Sequence, residues 1–309
     1  MKANVIHRFG PPDVIMFEEA ELPHPGHGEV LVRVMASGVG PWDGWIREGK
    51  SVLPQPLPLT LGSDLSGIVQ EVGEGVDDVK VGDEVFGVTN PRFTGANAEY
   101  ALASVGMIAA KPNDITHIEA ASIPVVAVTA SQMLFDHGSI KPNQKVLVLG
   151  AAGNVGSYAV QLAHGAGAYV FASAADDKAD YVRRLGATRV FDGRTQGFPA
   201  DVKDIDLVVD AVGGEAQTQA LASMTSGGVF ISAVSQPDQD MAKQLGVKAA
   251  FMLVDVTSSA LKSITKLLDA KALRINVGTV LRLAELRRAH EMLEGVRAHK
   301  GGKIVLEGS

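Results

Sequence analysis

The chain has 309 residues, of which 46% are hydrophobic and 20% charged, and its formal net charge at pH 7 is −7. Single hydrophobic cores stop growing at about 250–300 residues, so this length favours two domains. The acidic balance argues against a general nucleic-acid-binding protein, which presents a basic face. No cysteine is present, which excludes disulfide bonds, thiolate nucleophiles and cysteine-ligated zinc.

The sequence predicts no membrane span. The apolar stretch at 124–134 is interrupted by Thr129 and Ser131 and is too short to cross a bilayer. The first residues carry Lys2 and Arg8 but no apolar core of signal-peptide length. We therefore expect a soluble, cytoplasmic protein whose partner is a small molecule rather than a membrane or a nucleic acid.

Residues 1–120 are predicted to be rich in β-strands. The candidate strands are 30–35, 66–72, 81–88 and 98–103, and turns rich in Gly, Pro and Asn separate them. Short strands at this spacing are typical of a compact, barrel-like β domain.

From residue 123 onward, apolar strand-like runs alternate with helical patterns. The candidate strands are 146–149, 169–172, 189–191, 206–210, 229–232 and 249–253. The candidate helices are 157–165, 178–185, 217–224 and 258–270. This alternation predicts an α/β fold of the Rossmann type, in which helices cover both faces of a doubly wound parallel sheet.

The segment after residue 270 has no place in a six-stranded nucleotide-binding domain. It contains a strand-like run at 274–277, a helical pattern at 283–293 and a last strand at 303–306. We therefore predict that the chain returns to complete the first domain. The predicted domains are 1–122 with 271–309, and 123–270.

The segment 145–167, KVLVLGAAGNVGSYAVQLAHGAG, is the most informative part of the sequence. Its apolar run ends at Gly150, and a helical pattern follows the turn. Gly153 lets the backbone approach a diphosphate, and Gly156 lets the helix pack closely on the strand, although Ala151 replaces the first glycine of the usual GxGxxG motif. The helix N-terminus offers free N–H groups and a partial positive charge to an anion. The predicted dinucleotide contacts are Ala152, Gly153, Asn154, Val155 and Gly156.

The tip of the next strand discriminates between NAD and NADP. NAD-selective sites place Asp or Glu there, about 20 residues beyond the glycine motif. Here the strand ends at Ser173 without a carboxylate, and Asp176 and Asp177 are predicted to cap the following helix instead. Ser173, Lys178 and Arg194 could then hold a 2′-phosphate, the alternative being that Lys178 is only a solvated helix residue. The pattern favours NADPH over NADH.

Several separated motifs resemble those of the medium-chain dehydrogenase/reductase superfamily, and within it the zinc-independent, quinone-oxidoreductase-like branch. The matching segments are 38–49, 61–76, 81–88, 98–103, 120–130, the glycine turn, 205–214 and 302–306. The resemblance implies a GroES-like β domain and a Rossmann domain, with NADPH and the substrate in a cleft between them. It also implies a cofactor contact at Thr129, at the start of the helix that leads into the Rossmann domain. The remaining implied contacts are Val212, Gly213, Ser235, Phe251, Leu253, Val254 and Lys303.

The resemblance also bears on metal binding. Zinc-dependent relatives hold catalytic zinc with a cysteine and a His-Glu pair, whereas this chain has Ser63 and Asp64 in place of the pair and Gly40 near the position of the cysteine. The eight histidines supply no replacement set of three or four ligands. We predict no metal.

The segment GPWD at 40–43, followed by Trp45, is implied to form a loop that faces the nicotinamide. Branch members commonly carry Asn-Pro-x-Asp and then an aromatic residue, so the Asn amide is absent here and the carboxyl and the aromatic remain. We predict that Trp45 forms a flat apolar wall for a planar acceptor and that Asp43 is the second catalytic residue. The alternatives are that Trp42 and Trp45 are core aromatics and that Asp43 binds the loop backbone.

The predicted activity is metal-independent hydride transfer from NADPH to a quinone or to an α,β-unsaturated carbonyl, in a homodimer. Without a metal, such a reaction depends on positioning and on hydrogen bonds to the developing oxyanion. No buried general acid can be named from the sequence, so the proton could come from water. Two alternatives remain open. The first is an NADP-dependent alcohol or aldehyde reductase, and the second is a non-catalytic NADPH-binding sensor.

Overall fold

The structure is a computed structural model that describes residues 1–53, 55–193 and 197–308, so Arg194 lies outside the described residues. The strands are β1 (Lys2–Ile6), β2 (Met16–Glu19), β3 (Glu29–Val39), β4 (Leu59–Thr60), β5 (Asp64–Val72), β6 (Glu84–Val88), β7 (Tyr100–Ser104), β8 (Ile108–Ala110), β9 (Lys145–Leu149), β10 (Tyr169–Ser173), β11 (Arg189–Phe191), β12 (Ile205–Asp210), β13 (Met224–Ser232), β14 (Lys248–Phe251), β15 (Val277–Arg282) and β16 (Lys303–Glu307). The helices are α1 (Pro41–Arg47), α2 (His117–Ala121), α3 (Pro124–Ser131), α4 (Asn154–Gly165), α5 (Ala179–Arg184), α6 (Glu215–Ala222), α7 (Gln239–Leu245), α8 (Ser258–Asp269) and α9 (Leu286–Leu293), and a π-helical segment, Gln132–His137, continues α3.

The chain divides into two compact units. Unit 1 comprises Met1–Val125, Val256–Asp269 and Ile275–Ser309, and unit 2 comprises Val126–Asp255 and Ala270–Arg274. Residues 256–269 were predicted to belong to the second domain, but they group with unit 1. The reason is that α8 buries Leu261, Ile264 and Leu268 and packs on β8 of that unit.

Unit 2 is built on a six-stranded parallel sheet in the order β11-β10-β9-β12-β13-β14. The central strands β9 and β12 are buried almost throughout, as expected for parallel strands covered by helices on both faces. The predicted doubly wound Rossmann fold is therefore confirmed. In such a sheet, ligands bind beyond the carboxyl ends of the strands, which here include the turn between β9 and α4.

Unit 1 is built on a mostly antiparallel, GroES-like sheet in the order β15-β16-β3-β5-β6-β8, with β7 also pairing β3. The last strand of the chain, β16, lies between β15 and β3 and pairs Ile304 with Val39. The C-terminal segment thus completes the sheet that the N-terminal segment begins. The predicted strand at 274–277 is wrong in position, since β15 begins at Val277 where its pairing with Lys303 begins.

Helix α7 is absent from the sequence-based prediction. Its sequence, QDMAKQL, is largely polar and buries only Ala242, so its apolar periodicity is weak. Two local signals define it in the structure. The side chain of Asp238 accepts a hydrogen bond from the N–H of Met241, and Gly246 ends the helix in the left-handed conformation.

Residues 40–45, expected to form a loop, begin helix α1. Pro41 stands at the first helical position, where its missing N–H costs nothing, and the Asp43 carboxylate accepts a hydrogen bond of 2.8 Å from the N–H of Gly40. At the other end of α1, Arg47 is completely buried, which is rare for arginine unless its donors are all used.

The Arg47 guanidinium joins three parts of unit 1. It donates to the carbonyl of Gly10 at 2.8 Å and to Nδ1 of His290 on α9 at 2.9 Å, and it forms ion pairs with Glu48 and Glu294 at 2.8 and 2.6 Å. Burial, followed by the Arg47 charge, lowers the pKa of His290 to about 3. The imidazole is therefore neutral and accepts the hydrogen bond. This arrangement fixes the C-terminal end of α1.

Replacing Arg47 with Met is expected to lower the free energy of unfolding of unit 1 by about 2–4 kcal/mol, since buried acceptors lose their donor. The measurement is urea unfolding followed by tryptophan fluorescence, which reports on unit 1 because both tryptophans of the chain lie on α1. The control is Lys50→Ala, which breaks an exposed ion pair with Glu48 and should cost less than about 1 kcal/mol. If Arg47→Met and Lys50→Ala lowered the free energy of unfolding by similar amounts, Arg47 would not be the residue that fixes the C-terminal end of α1.

Candidate functional site

The turn between β9 and α4 requires its glycines. Gly150 follows β9 with a φ of +74°, in the left-handed region that favours glycine. A Cβ atom on Gly156 would collide with the carbonyl oxygen of Gly150, so only glycine allows the first turn of α4 to pack against the strand end. The close strand–helix packing expected from the sequence is therefore present in the geometry of unit 2.

The first turn of α4 is open to an anion. Gly153 precedes the helix in an extended conformation, and no described side chain caps it, in contrast to α7 with its Asp238 cap. Uncapped N–H groups at a helix N-terminus carry a partial positive charge and bind phosphate groups. Gly153 is exposed, and Ala152, Asn154 and Val155 are half-buried. These residues fit the diphosphate of a dinucleotide.

The strand tip beyond the turn carries a hydroxyl group and a cation. Ser173 ends β10 and is half-buried, and Lys178 is exposed at the end of the 3-10 turn Asp176–Lys178. The predicted capping role of Asp176 and Asp177 is wrong, since no side-chain cap is made at either the 3-10 turn or α5 within the described residues. Asp177 instead lies 3.5 Å from the ammonium of Lys178.

A buried carboxylate that the sequence analysis did not single out organises the carboxyl edge of the unit 2 sheet. Oδ1 of Asp210 accepts hydrogen bonds of 2.9 Å from the N–H groups of Val212 and Gly213. Its Oδ2 accepts bonds of 2.7 Å from Ser232 and from Gln217, whose amide also reaches Ser235. These hydrogen bonds hold residues 210–214, with the sequence DAVGG, in place at the end of β12.

Two apolar side chains project into solvent at this edge. Val212 is 52% exposed and Leu253, just beyond β14, is 60% exposed. Phe251 and Val254, the other two predicted contacts near β14, are half-buried. Exposed apolar side chains grouped beside an anion-binding turn suit a ligand that is charged at one end and flat and apolar at the other.

Thr129 does not lie at the start of a helix, as the resemblance implied. It lies in the second half of α3, and it is buried. The sequence signal was misread because Pro124, five residues earlier, is the residue that begins the helix.

In unit 1, Lys303 forms a buried ion pair with Asp64. The Nζ–Oδ2 distance is 2.8 Å, and both side chains are almost completely inaccessible. Oδ1 of Asp64 also accepts a hydrogen bond of 3.0 Å from the N–H of Val125. Burial raises the pKa of Asp64, and the Lys303 ammonium opposes that rise. The implied contact of Lys303 with cofactor oxygens is therefore corrected: its ammonium is already bound to a carboxylate inside unit 1.

Trp42 packs on this ion pair. The Lys303 ammonium lies 4.2 Å from the centroid of the Trp42 ring, and the indole N–H donates to the hydroxyl of Ser63 at 2.9 Å. A Cβ atom on Gly40 would overlap the same ring. The indole of Trp42 thus occupies the space that a side chain at position 40 would need.

The two predicted catalytic residues have different surroundings. Asp43 is completely buried, and its Oδ2 accepts the hydrogen bond from Gly40, as in the backbone-binding alternative, while Oδ1 has no hydrogen-bond partner among the described residues. Burial raises the pKa of Asp43 to about 7. Trp45, in contrast, is 46% exposed. Of these two residues, Trp45 has the exposed side chain, whereas the Asp43 carboxyl is buried and bound to the backbone at the start of α1.

Two further results concern metal ions and membranes. The described part of the chain contains no group of three or more His, Asp or Glu side chains placed to hold a metal ion. Across residues 1–53, 55–193 and 197–308, no helix has the length and apolar character needed to span a bilayer.

Comparison with known proteins identifies the family. A family model described as the alcohol dehydrogenase GroES-like domain matches residues 26–113, and one described as zinc-binding dehydrogenase matches residues 185–306. The mitochondrial NAD(P)H oxidoreductase RTN4IP1 of Bos taurus is 32% identical, over 83% of this chain and 71% of its own length. The quinone oxidoreductase of Sus scrofa is 30% identical, over 99% of this chain and 98% of its own length.

Solved structures give the same answer. The quinone oxidoreductase from Coxiella burnetii superposes with a TM-score of 0.92 at 30% identity, covering 100% of this chain and 99% of its own. The Escherichia coli quinone oxidoreductase complexed with NADPH superposes with a TM-score of 0.89 at 25% identity, covering 99% of this chain and 100% of its own. The chain belongs to the medium-chain dehydrogenase/reductase superfamily, in its quinone-oxidoreductase-like branch. The predicted family is confirmed, and the complex with NADPH agrees with the predicted cofactor.

Asp43 is expected to make stability depend on pH. Its folded-state pKa of about 7 lies above the ordinary value of 3.8, so the folded state holds the proton more tightly. The stabilisation is complete below about pH 4 and is lost as the pH rises through 7, by up to about 4 kcal/mol. Asp43→Asn keeps an acceptor for Gly40 but does not titrate. The variant should therefore gain stability relative to the wild type between pH 5 and pH 8 in urea unfolding, whereas parallel pH profiles would contradict this assignment.

Gly40 and Trp42 are expected to be strongly coupled. Gly40→Asn alone should lower the free energy of unfolding by about 1–3 kcal/mol because the new side chain overlaps the indole. In a Trp42→Ala background the same change should cost much less, with a coupling energy of about 0.5–3 kcal/mol. Gly44→Asn is the matched control, since nothing lies within 4 Å of a Cβ at that position of α1. Urea unfolding followed by circular dichroism measures all four proteins of the cycle, and additive effects would disprove the coupling.

Proposed function

We propose that the protein is a metal-independent oxidoreductase that uses NADPH to reduce a quinone or an α,β-unsaturated carbonyl. The main observation in favour of this class of acceptor is that the indole of Trp45 on α1 is exposed. The charged groups of Asp64 and Lys303, in contrast, are buried in unit 1 and paired with each other. A planar conjugated acceptor gains stacking energy from such a surface, whereas a small aliphatic alcohol does not.

The cofactor site follows from the geometry of unit 2. The amides around Gly153 at the open end of α4 bind the diphosphate, and Ser173 and Lys178 bind the 2′-phosphate. Val212 and Leu253 provide apolar contacts for the nicotinamide, supported by the rigid Asp210 network. The other predicted contacts, Thr129, Gly213, Ser235, Phe251 and Val254, remain part of this proposal. NADPH, when bound, supplies the hydride.

The side chains of unit 1 position the acceptor rather than exchange protons with it. Trp45 orients the acceptor plane, and the bond from Asp43 to Gly40 fixes the start of the helix that carries it. Asp43 and Asp64 are buried and bound to unit 1 groups, so the proton that completes the reduction comes from water.

The names of relatives support this acceptor class, whereas the fold alone does not select it. One relative, from Arabidopsis thaliana, is described as a chloroplastic NADPH-dependent alkenal/one oxidoreductase and is 35% identical over 69% of this chain and 58% of its own length. However, a structure described as an NAD-dependent alcohol dehydrogenase also superposes with a TM-score of 0.91 at 29% identity. The proposal therefore depends on the chemistry of the site. The homodimer and the cytoplasmic location stay predictions, and light scattering after size exclusion tests the first.

The test of cofactor preference is steady-state kinetics with NADPH and NADH. The wild type should show the higher kcat/KM with NADPH, because the tip of β10 carries Ser173 and no carboxylate. Ser173→Asp should lower kcat/KM for NADPH by at least about tenfold, since a carboxylate repels the 2′-phosphate and favours ribose hydroxyls. Ser173→Ala is the control without the charge. A wild-type preference for NADH would overturn the assignment of the cofactor.

The test of the acceptor is anaerobic oxidation of NADPH with a panel of quinones, enones and simple carbonyl compounds. Trp45→Ala should lower kcat/KM for bicyclic quinones by about tenfold, because roughly 1–1.5 kcal/mol of stacking is lost. Trp45→Phe keeps a flat ring and should retain most of the activity. If all quinones and enones fail while simple aldehydes or alcohols react, the protein is an alcohol or aldehyde reductase instead.

A further inference from the structure

Unit 2 contains a cavity of about 630 Å³ that the proposed reaction does not use. Its walls come from the C-terminal end of α4, from the end of α5 with the turn that leads to β11, and from residues 271–274. Thr188, one of its lining residues, directly precedes β11. The cavity therefore lies at the amino-end edge of the parallel sheet, whereas the glycine turn lies at the carboxyl-end edge.

The walls of this cavity are fixed by a buried side chain. The amide of Gln161 on α4 accepts a hydrogen bond of 2.7 Å from the N–H of Arg274 and donates one of 3.2 Å to its carbonyl. Lys271 adopts a left-handed backbone conformation with a φ of +55°, which is uncommon for a residue with a side chain. A Cβ on Gly186 would collide with the ring of His164, so glycine is needed for the α5 turn to approach α4.

The lining is strongly basic although the whole chain carries a net charge of −7. Arg183, Arg184, Lys271 and Arg274 line the cavity, together with His164, and no Asp or Glu is among the lining residues that the structure describes. Arg183 pairs with Asp180 at 2.7 Å. The other three cations form no ion pair with any residue in the described ranges.

The helix ends do not balance this charge. The C-termini of α4 and α5 each contribute roughly −0.5 of an elementary charge, which accounts for cations in their last turns, and α8 ends at Asp269, two residues before Lys271, and contributes a similar amount. Together with Asp180, these three helix ends offset about two and a half of the four positive charges. An excess of about one and a half positive charges therefore remains in the cavity.

We propose that this cavity binds a small phosphorylated anion, at a site separate from the dinucleotide site. A phosphoryl group carries about 1.5–2 negative charges at neutral pH and matches the excess. Arginine guanidinium groups bind phosphate oxygens in bidentate geometry, and the cavity volume lies within the range of roughly 300–1,000 Å³ that is usual for small-molecule sites. Binding of the anion would neutralise the cationic side chains that line the cavity. The hydrogen bonds between the Gln161 amide and the Arg274 backbone hold two of the cavity walls together.

Isothermal titration calorimetry of the full chain at fixed ionic strength tests the proposal, with inorganic phosphate and pyrophosphate as separate probes. Lys271→Gln/Arg274→Gln keeps the backbone bonds to Gln161 and should weaken the binding of the tighter probe by about tenfold or more. Lys243→Gln/Lys248→Gln makes the same charge change elsewhere in unit 2 and should leave the affinity unchanged. Lys178→Gln is measured separately, because it reports any binding of the probe at the proposed dinucleotide site. Tighter binding of pyrophosphate would identify a diphosphate ligand, and equal binding a single phosphoryl group.

Three results would overturn the proposal. The first is the absence of binding heat for both probes with the wild type. The second is an equal loss in the cavity variant and in Lys243→Gln/Lys248→Gln, which would indicate non-specific attraction to charge. The third is loss of binding in Lys178→Gln with the cavity variant unaffected, which would place the probe at the dinucleotide site.

Discussion

The buried ion pair between Asp64 and Lys303 is the constraint on which the unit 1 site depends. Removing a carboxylate and an ammonium from water is costly, and the cost is recovered only when the two charges meet with good geometry and their remaining valences are used. Here the N–H of Val125 donates to the second carboxylate oxygen of Asp64, and the ring of Trp42 packs against the Lys303 ammonium. The pair therefore fixes β5, β16 and α1 relative to one another within unit 1.

The surroundings of α1 follow from that pair. Lys303 attracts the face of the Trp42 indole, and the indole in turn fills the space above Gly40. Asp43 lies in the same buried region, where Lys303 lowers its pKa and Asp64 raises it, but burial has the largest effect. A side chain is thereby excluded at position 40, and the exposed aromatic surface of Trp45 is held on a helix that is fixed at both ends.

The parts of the fold that sequence predicts are those encoded locally. The parallel sheet follows from continuous apolar runs such as 146–149, and the glycine turn follows from residues that need a left-handed φ or a close approach. The Asp64–Lys303 pair joins residues 239 positions apart, so no local pattern reveals it. The resemblance implied a loop at 40–45, where the structure has helix α1. This helix is short and contains Pro and Gly, and the distant contacts of Arg47 hold its C-terminal end.

The position of β16 has a consequence for biosynthesis. Residues 36–39 of β3 pair with residues 304–307, which are translated after every residue of unit 2. Until residues 304–307 have been made, that edge of β3 offers unpaired backbone groups, whereas unit 2 can already fold. A nascent or prematurely terminated chain thus exposes an unpaired edge of β3, which can pair with strands of other chains. It also contains the Asp64 carboxylate without the Lys303 ammonium. Quality-control proteases and chaperones act on such features.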